Sequence, residues 1–309
     1  MGESKTKEKN SKMKVEEVED ASSKELPLTE ALRRKFGIIG REAEIRRCLA
    51  AKLSGKHILL EGDVGVGKTT LALAISGFFR QPLYRIDGDE QYPSSRLTGH
   101  FEPPLVLEKG FCYDSFIPGP LTSSMKEDGI LFINELNRLP EGTQNALLSA
   151  MDEGFMIIPK LGKVRAGPNF CVISTMNPRE YVAVSPLSEA IRDRFVWVKL
   201  EHQSEAEERQ IVWLRSGMKD ADVTSNAVAI TRATRNHPDL RRGASVRGAI
   251  DIASIMRQYK SRAIDIWIEV CIMGLATKIE VEDGVERNVE SIIEEIVHEI
   301  LGRKKKENF

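Results

Sequence analysis

No pair among the four cysteines (Cys48, Cys112, Cys171 and Cys271) has the C-x-x-C spacing. The wide separation points to neither a zinc ribbon nor a disulfide scaffold, and the thiols are expected to be buried and apolar. Long hydrophobic runs are also missing. None reaches the roughly 18 residues that a membrane helix needs; the nearest, 264–276, is broken by Asp265 and Glu269. The opening MGESKTKEKN contains no apolar signal region. Nor is there an excess of one charge: 45 Lys and Arg stand against 46 Asp and Glu, a formal net charge of −1. That balance argues against a surface built throughout for DNA or RNA, while leaving room for a local basic patch. These absences together indicate a cytoplasmic protein with no membrane span.

What is present is enough for a substantial core. Hydrophobic residues make up 41% of 309, and at about 100–200 residues per domain the length allows two domains. Residues 1–28 are rich in Lys and Glu and poor in apolar types, and are expected to be a disordered charged tail. Residues 303–309, which contain Arg303-Lys304-Lys305-Lys306, are expected to form a short basic tail. From Thr29 to Leu53, Leu32, Ile45, Leu49 and Leu53 suggest helices on either side of a turn at Phe36–Gly40. Short β-type runs then alternate with helical stretches: His57–Glu61, Leu83–Ile86, Ile130–Ile133, Phe170–Thr175 and Phe195–Leu200, with helices over Lys68–Phe79 and Thr143–Asp152. Apolar strands with intervening helices imply an α/β core over 29–200, a parallel sheet covered on both faces.

After Leu200 the strand signals fade. Glu205–Arg215, Thr224–Asn236, Ser245–Ala263 and Asn288–Leu301 read as helices of a smaller all-α domain over 201–302. In the last of them Val289, Ile292, Ile293, Ile296, Val297, Ile300 and Leu301 share one face, and Gly302 follows as a stop.

Gly62-Asp63-Val64-Gly65-Val66-Gly67-Lys68-Thr69 matches G-x-x-x-x-G-K-[ST]. It follows the apolar run Ile58–Leu60 and opens a helix with Thr70, the context that the motif requires. The glycines let backbone N–H groups turn inward around a phosphate, and the helix N-terminus adds partial positive charge. Lys68 reaches the β- and γ-phosphates and Thr69 ligates Mg²⁺. No N-K-x-D motif for reading guanine occurs, which favours ATP. The histidines do not pair at ligand spacing, so nucleotide-bound Mg²⁺ is the one metal expected.

A second acidic site follows Ile130–Ile133. Asn134-Glu135 stands where a Walker B motif has Asp-Glu, the Asp helping to hold Mg²⁺ and the Glu orienting the attacking water. Downstream come Ser174-Thr175-Met176-Asn177-Pro178, then Asp193-Arg194-Phe195 and Gly243-Ala244-Ser245-Val246-Arg247.

This order resembles the AAA+ ATPases and, within them, the MoxR family, with the CbbQ/NorQ group close behind. The most specific piece is Asn134-Glu135-Leu136-Asn137-Arg138-Leu139-Pro140, continuing through Thr143-Gln144 and Leu147-Leu148 to Met151-Asp152-Glu153-Gly154. The resemblance implies an AAA+ P-loop core followed by an all-α lid, with the nucleotide site shared between subunits of a homo-oligomeric, hexameric ring. It implies that Ile38 and Ile39 line the adenine pocket and that Glu135 is the base. By the same resemblance Asn177 is sensor 1, Arg194 the finger into the neighbouring site and Arg247 sensor 2; Arg192 is the alternative finger. The family often works beside a protein with a von Willebrand factor A domain in maturing a protein client.

Asn134 departs from the family pattern. It keeps an acceptor oxygen, with contact to Mg²⁺ expected through water, but removes a negative charge, a change of about 1–3 kcal/mol. Slow hydrolysis and a binding-only switch both follow; the presence of Glu135, Asn177, Arg194 and Arg247 favours hydrolysis. A nucleic-acid motor is the other alternative. A hairpin is expected at 155–164 around Pro159–Gly162, where Lys160, Lys163 and Arg165 could meet nucleic acid, with a protein client or plain solvation favoured over it. Arg232, Arg235, Arg241 and Arg242 are expected on a solvated face, and Trp197, Trp213 and Trp267 in the core.

Overall fold

The computed structural model describes residues 28–178 and 187–307. The charged tail expected over 1–28 lies outside the described residues except for Leu28, which opens helix α1 (28–36). The chain divides into two compact units. The first holds residues up to Asp63 and from Gly67 to Leu200; the second holds residues 64–66 and those from Glu201 onward.

The first unit is built on five parallel strands: β1 (His57–Glu61), β2 (Leu83–Asp87), β3 (Ile130–Asn134), β4 (Cys171–Met176) and β5 (Phe195–Lys199). Their order is β2-β3-β4-β1-β5. The three inner strands β1, β3 and β4 are buried along nearly their whole length, as expected where both faces of a parallel sheet are covered. The edge strands are half exposed. Phe132 is fully buried at the centre of β3. On β5 Trp197 is 55% exposed, its indole N–H donating to Glu61 Oε2 (3.0 Å). That corrects the core expectation for Trp197, which stands on an edge strand whose faces are only partly covered.

α1 and α2 (Glu42–Leu53) flank the turn at 37–41, with Leu32, Ile45 and Leu49 buried; Leu53 is exposed instead of joining their face. α3 (Lys68–Phe79) follows β1 and buries Leu71, Ala72, Ala74 and Ile75. The single helix expected over 143–152 is two short ones, Glu141–Asn145 and Leu148–Asp152. Leu147 N bonds Gln144 O (3.0 Å) across the joint, an i→i+3 link that tightens the chain there. The hairpin expected at 155–164 is present as Phe155–Ile158 paired with Gly162–Arg165. A second hairpin, Gly99–Phe101 with Phe116–Pro118, has strands too short to show an alternation in sequence.

His57 opens β1 between the rings of Phe170 and Phe195 and is 8% exposed. Nδ1 accepts from Val172 N (2.9 Å), so the proton sits on Nε2, which faces Met151 O (3.2 Å). Burial pushes its pKa below 6.5; the Met151 carbonyl opposes that shift, and the charges of Lys52 and Lys56 add to it. A group whose folded pKa is depressed in this way binds fewer protons in the native state. Its stabilisation is complete above about pH 6.5 and declines as pH falls from there toward the folded value, by at most about 1.4 kcal/mol per unit. Urea midpoints at pH 7.5 and 5.5 should therefore drop further in the wild type than in His57→Gln.

Three of the four thiols are buried. Burial pushes Cys48 and Cys171 up to about 12 and raises Cys271 as well. Cys112 is the exception: it is half-buried, in a turn where its side chain meets the Ser115 hydroxyl, which holds the thiol below its usual value.

The second unit is a helical bundle: α4 (Glu205–Ser216), α5 (Ala221–Ala233), α6 (Val246–Met256), α7 (Ile264–Leu275) and α8 (Val289–Glu307). α6 packs against α4, α5 and α7, and α8 against α5 and α7. A two-stranded pair, Leu240–Arg242 with Glu280–Val281, closes one loop. The Ser204 capping box with Glu207 starts α4. The helix expected over 245–263 stops at Met256, where the Arg262 guanidinium bonds the carbonyls of Met256 (3.3 Å) and Tyr259 (2.6 Å). α7 is visible in sequence only as an apolar run; it buries Trp267, Val270, Cys271 and Leu275. Trp213, at 36% exposure, lies outside the core.

α8 runs through Gly302 to Glu307, so the expected stop at Gly302 is not made; the last two residues of the expected basic tail lie outside the described residues. One glycine costs only about 1 kcal/mol, and the Arg and Lys that follow are strong helix formers. Arg232 and Arg235 are likewise not a solvated face. Both pair with the buried carboxylate of Glu208, at 3.0 and 2.8 Å. Arg241 and Arg242 are exposed and pair with Glu280. Among the described residues no helix is long and apolar enough to cross a membrane.

Candidate nucleotide site

The carboxyl ends of β1, β3 and β4 meet beside the glycine loop. Gly65 and Gly67 adopt φ of +81° and +97°, conformations that side-chain-bearing residues rarely take, and Gly67 caps α3. Gly62 N donates to Met176 O (3.3 Å), tying the loop's start to the end of β4. The Lys68 ammonium donates to the carbonyls of Gly62 (2.5 Å) and Asp63 (2.9 Å), which holds it within the loop. The first turn of α3 has no acidic residue to offset the helix's positive end. Val66 is buried, whereas Val64 and Thr70 are exposed.

Asn134 is the hub. Its Oδ1 accepts from the hydroxyls of Thr69 (3.1 Å) and Thr175 (3.1 Å). Its Nδ2 donates to Asp87 Oδ1 (3.0 Å). The reverse amide orientation would set an oxygen against the carboxylate, so these contacts determine the orientation. Thr175 also accepts from Glu135 N (2.9 Å). Asp87 lies opposite Asn134 in the β2–β3 register. Its carboxyl is held below the usual range, first by the hydrogen bond from Arg85 and also by that guanidinium's charge and the Asn134 amide.

Glu135 has φ 60° and ψ 59°, left-handed backbone that costs a side-chain-bearing residue about 1–2 kcal/mol. The bend turns the chain out of β3, and the carboxylate pairs with Arg138 (3.1 Å). Gly88 makes the bend possible. Its N–H donates to Asn134 O (2.7 Å), and a Cβ there would stand 2.0 Å from Glu135 O. Gly88→Ala must therefore push β2 away from the Glu135 turn. The expected result is about 1–3 kcal/mol lower stability, as for other overpacking changes, with turnover lost along with the geometry. Denaturant midpoints and phosphate release on the same preparation check it.

The remaining expected residues come from other segments of the chain. Asn177, 6% exposed, follows β4 directly. Arg194 donates to Asp152 Oδ2 (2.9 Å) and Ala190 O (2.7 Å), and Arg192 is exposed. Ile38 and Ile39 are half-buried in the turn between α1 and α2. Arg247 is exposed in the first turn of α6, in the second unit. Sequence reasoning does not single out Asp87, Gly88 or Thr175 as site residues. Strand order brings the first two to the site, and order cannot be read along the chain.

Magnesium takes hard oxygen donors and keeps several waters. The Thr69 hydroxyl, the Asn134 carbonyl and the nearby Asp87 carboxylate suit it. Among the described residues no group of three His, Cys, Asp or Glu could hold a metal alone, so a cation here would share phosphate oxygens of a nucleotide.

Comparison with known proteins bears on the fold that carries this site. Residues 57–195 match the model of the AAA domain, dynein-related subfamily. The protein YojN of Bacillus subtilis (strain 168) is 29% identical over 244 residues, covering 76% of this chain and 79% of its own length. Gas vesicle ATPase GvpN of Haloferax mediterranei is 29% identical over 268 residues, covering 79% of this chain and 76% of its own. Among solved structures, a point mutant of Thermotoga maritima RuvB superposes with a TM-score of 0.52 at 20% identity, covering 76% of this chain and 71% of that one. The parallel sheet, the glycine loop at the end of β1 and the match over 57–195 together make the first unit an α/β AAA+ core with an AAA domain similar to the dynein-related subfamily.

Proposed function

We propose that this chain is a MoxR-type AAA+ ATPase that binds ATP with Mg²⁺ at the interfaces of a hexameric ring and uses hydrolysis to remodel or mature a protein client. The observation that carries this reading is the convergence of Thr69, Asn134, Thr175 and Glu135 beside the glycine loop. Phosphoryl transfer needs positioning and charge stabilisation more than covalent help. The loop's N–H groups and Lys68 take the phosphates, with Ile38 and Ile39 against the adenine. Glu135 orients water, released from Arg138 when it does so, and Asn177 bridges that water and the γ-phosphate. Arg194 of one subunit reaches its neighbour's site, and Arg247 reports the γ-phosphate to the helical unit. When bound, the metal neutralises charge on the β- and γ-phosphates.

A relative named as a gas vesicle ATPase supports the ATPase reading. The client, with a von Willebrand factor A domain protein as accessory partner, comes from the MoxR resemblance. The second reading is a binding-only switch, favoured by the neutral Asn134. Steady-state phosphate release from Mg-ATP near the assembly concentration separates the two. Turnover above the Glu135→Gln blank is expected. ATP binding without turnover would establish the switch, and strong stimulation by DNA or RNA would overturn the protein-client reading.

A further inference from the structure

We propose that Asp87, at the carboxyl end of β2, is the anionic partner of the nucleotide's magnesium ion, gripping its water shell in place of the carboxylate that position 134 lacks. This rests on the Mg-ATP reading above.

The argument begins with register. Asp87 and Asn134 are direct partners across β2 and β3, both at the strand ends that face the glycine loop. A continuous chain of contacts runs from Thr69 Oγ1 to Asn134 Oδ1 (3.1 Å) and from Asn134 Nδ2 to Asp87 Oδ1 (3.0 Å). The amide therefore presents its neutral oxygen toward Thr69 and turns its N–H toward the carboxylate. The negative charge ordinarily supplied at this level of the sheet is still present, one strand further out.

Asp87 is placed to act. Both of its hydrogen bonds, from Arg85 (2.8 Å) and Asn134, fall on Oδ1. The side chain is 60% exposed, and among the described residues no hydrogen bond engages Oδ2. The carboxylate stands one strand beyond Asn134, so it would act through water, as outer-shell carboxylates do at metal sites. Glu135, the other acid here, is turned toward Arg138. The arrangement also accounts for asparagine at 134. An aspartate there would set two carboxylates about 3 Å apart, and like charges that close disfavour ionisation of both.

The competing role is structural: Asp87 would only orient the Asn134 amide. The two roles differ in whether charge matters. The test is Mg²⁺ affinity on the full chain with saturating ADP, by calorimetry, with Mn²⁺ paramagnetic resonance as a second readout. ADP affinity in EDTA is measured alongside.

Asp87→Asn is expected to weaken metal affinity about 10–100-fold while leaving metal-free ADP affinity unchanged. The exchange variant Asp87→Asn/Asn134→Asp returns one carboxylate to the pair and keeps an amide opposite it. It is expected to recover metal affinity to within about three-fold of the wild type, which also excludes misfolding as the cause of the loss. Unchanged metal affinity in Asp87→Asn overturns the proposal, as does a folded exchange variant that fails to recover. If the wild type does not bind ADP at all, the nucleotide reading fails and this proposal with it. Binding of ADP with metal affinity indifferent to position 87 overturns this proposal alone.

Discussion

Replacing Glu135 with glutamine is expected to lower steady-state ATP turnover by about 10²–10⁴-fold, the range for loss of a positioned base, and to leave ATP binding in place. The substitution keeps size and shape and removes the charge. The side chain does not hold the local fold: the bend at Glu135 is maintained by backbone contacts, Glu135 N to Thr175 Oγ1 (2.9 Å) and Arg138 N to Glu135 O (3.0 Å). The groups proposed to bind phosphate lie elsewhere, on the glycine loop and Lys68, whose ammonium is held by the Gly62 and Asp63 carbonyls. Turnover and binding should therefore separate, with nucleotide affinity within about three-fold of wild type by equilibrium titration, an RT ln 3 effect below the energy of one hydrogen bond. Turnover reduced by less than ten-fold would remove Glu135 from the role of base. The ion pair with Arg138 adds a second expectation. Arg138→Ala frees the carboxylate without touching the bend, so its turnover should equal or exceed that of the wild type.

Glu208→Ala is expected to destabilise the helical unit by about 3–5 kcal/mol, the penalty for breaking a buried ion pair from one side. The Glu208 side chain is 3% exposed and lies between Arg232 on α5 and Arg235 just beyond it. Arg232 also donates to Gln203 O (3.1 Å) and Arg235 to Ala244 O (2.7 Å), so the cluster pins α4 to the turn that follows α5. Removing the acid leaves two cations close together, one of them only 12% exposed. Chemical denaturation followed by circular dichroism measures the loss. A loss below about 1 kcal/mol would place the pair among surface ion pairs instead.

Much of the first unit is legible along the chain. All five strands appear within a residue or two of their expected bounds because buried parallel strands are continuous apolar runs. The glycine loop is a local motif whose spacing carries its own chemistry. α7 escapes sequence reading as an element because its 12 residues, Ile264–Leu275, are apolar on several faces and show no clear helical period. The buried role of Arg232 and Arg235 escapes it because their partner, Glu208, lies 24 and 27 positions upstream. Gly302 reads as a stop because glycine often ends helices, yet the residues beyond it carry α8 onward.

The sequence by itself determined the α/β succession, the phosphate loop with Lys68 and Thr69, and the neutral amide at position 134. Those depend on neighbours in the chain, on periodicity and on side-chain chemistry. Only the tertiary structure decided which residues surround that amide. Sheet order sets β2 beside β3 and β4 on the other side. That brings Asp87 from 47 positions upstream and Thr175 from 41 downstream onto one side chain. Pairing between distant strands depends on the packing of the whole sheet, so the electrostatics of position 134 could not be read from its own segment.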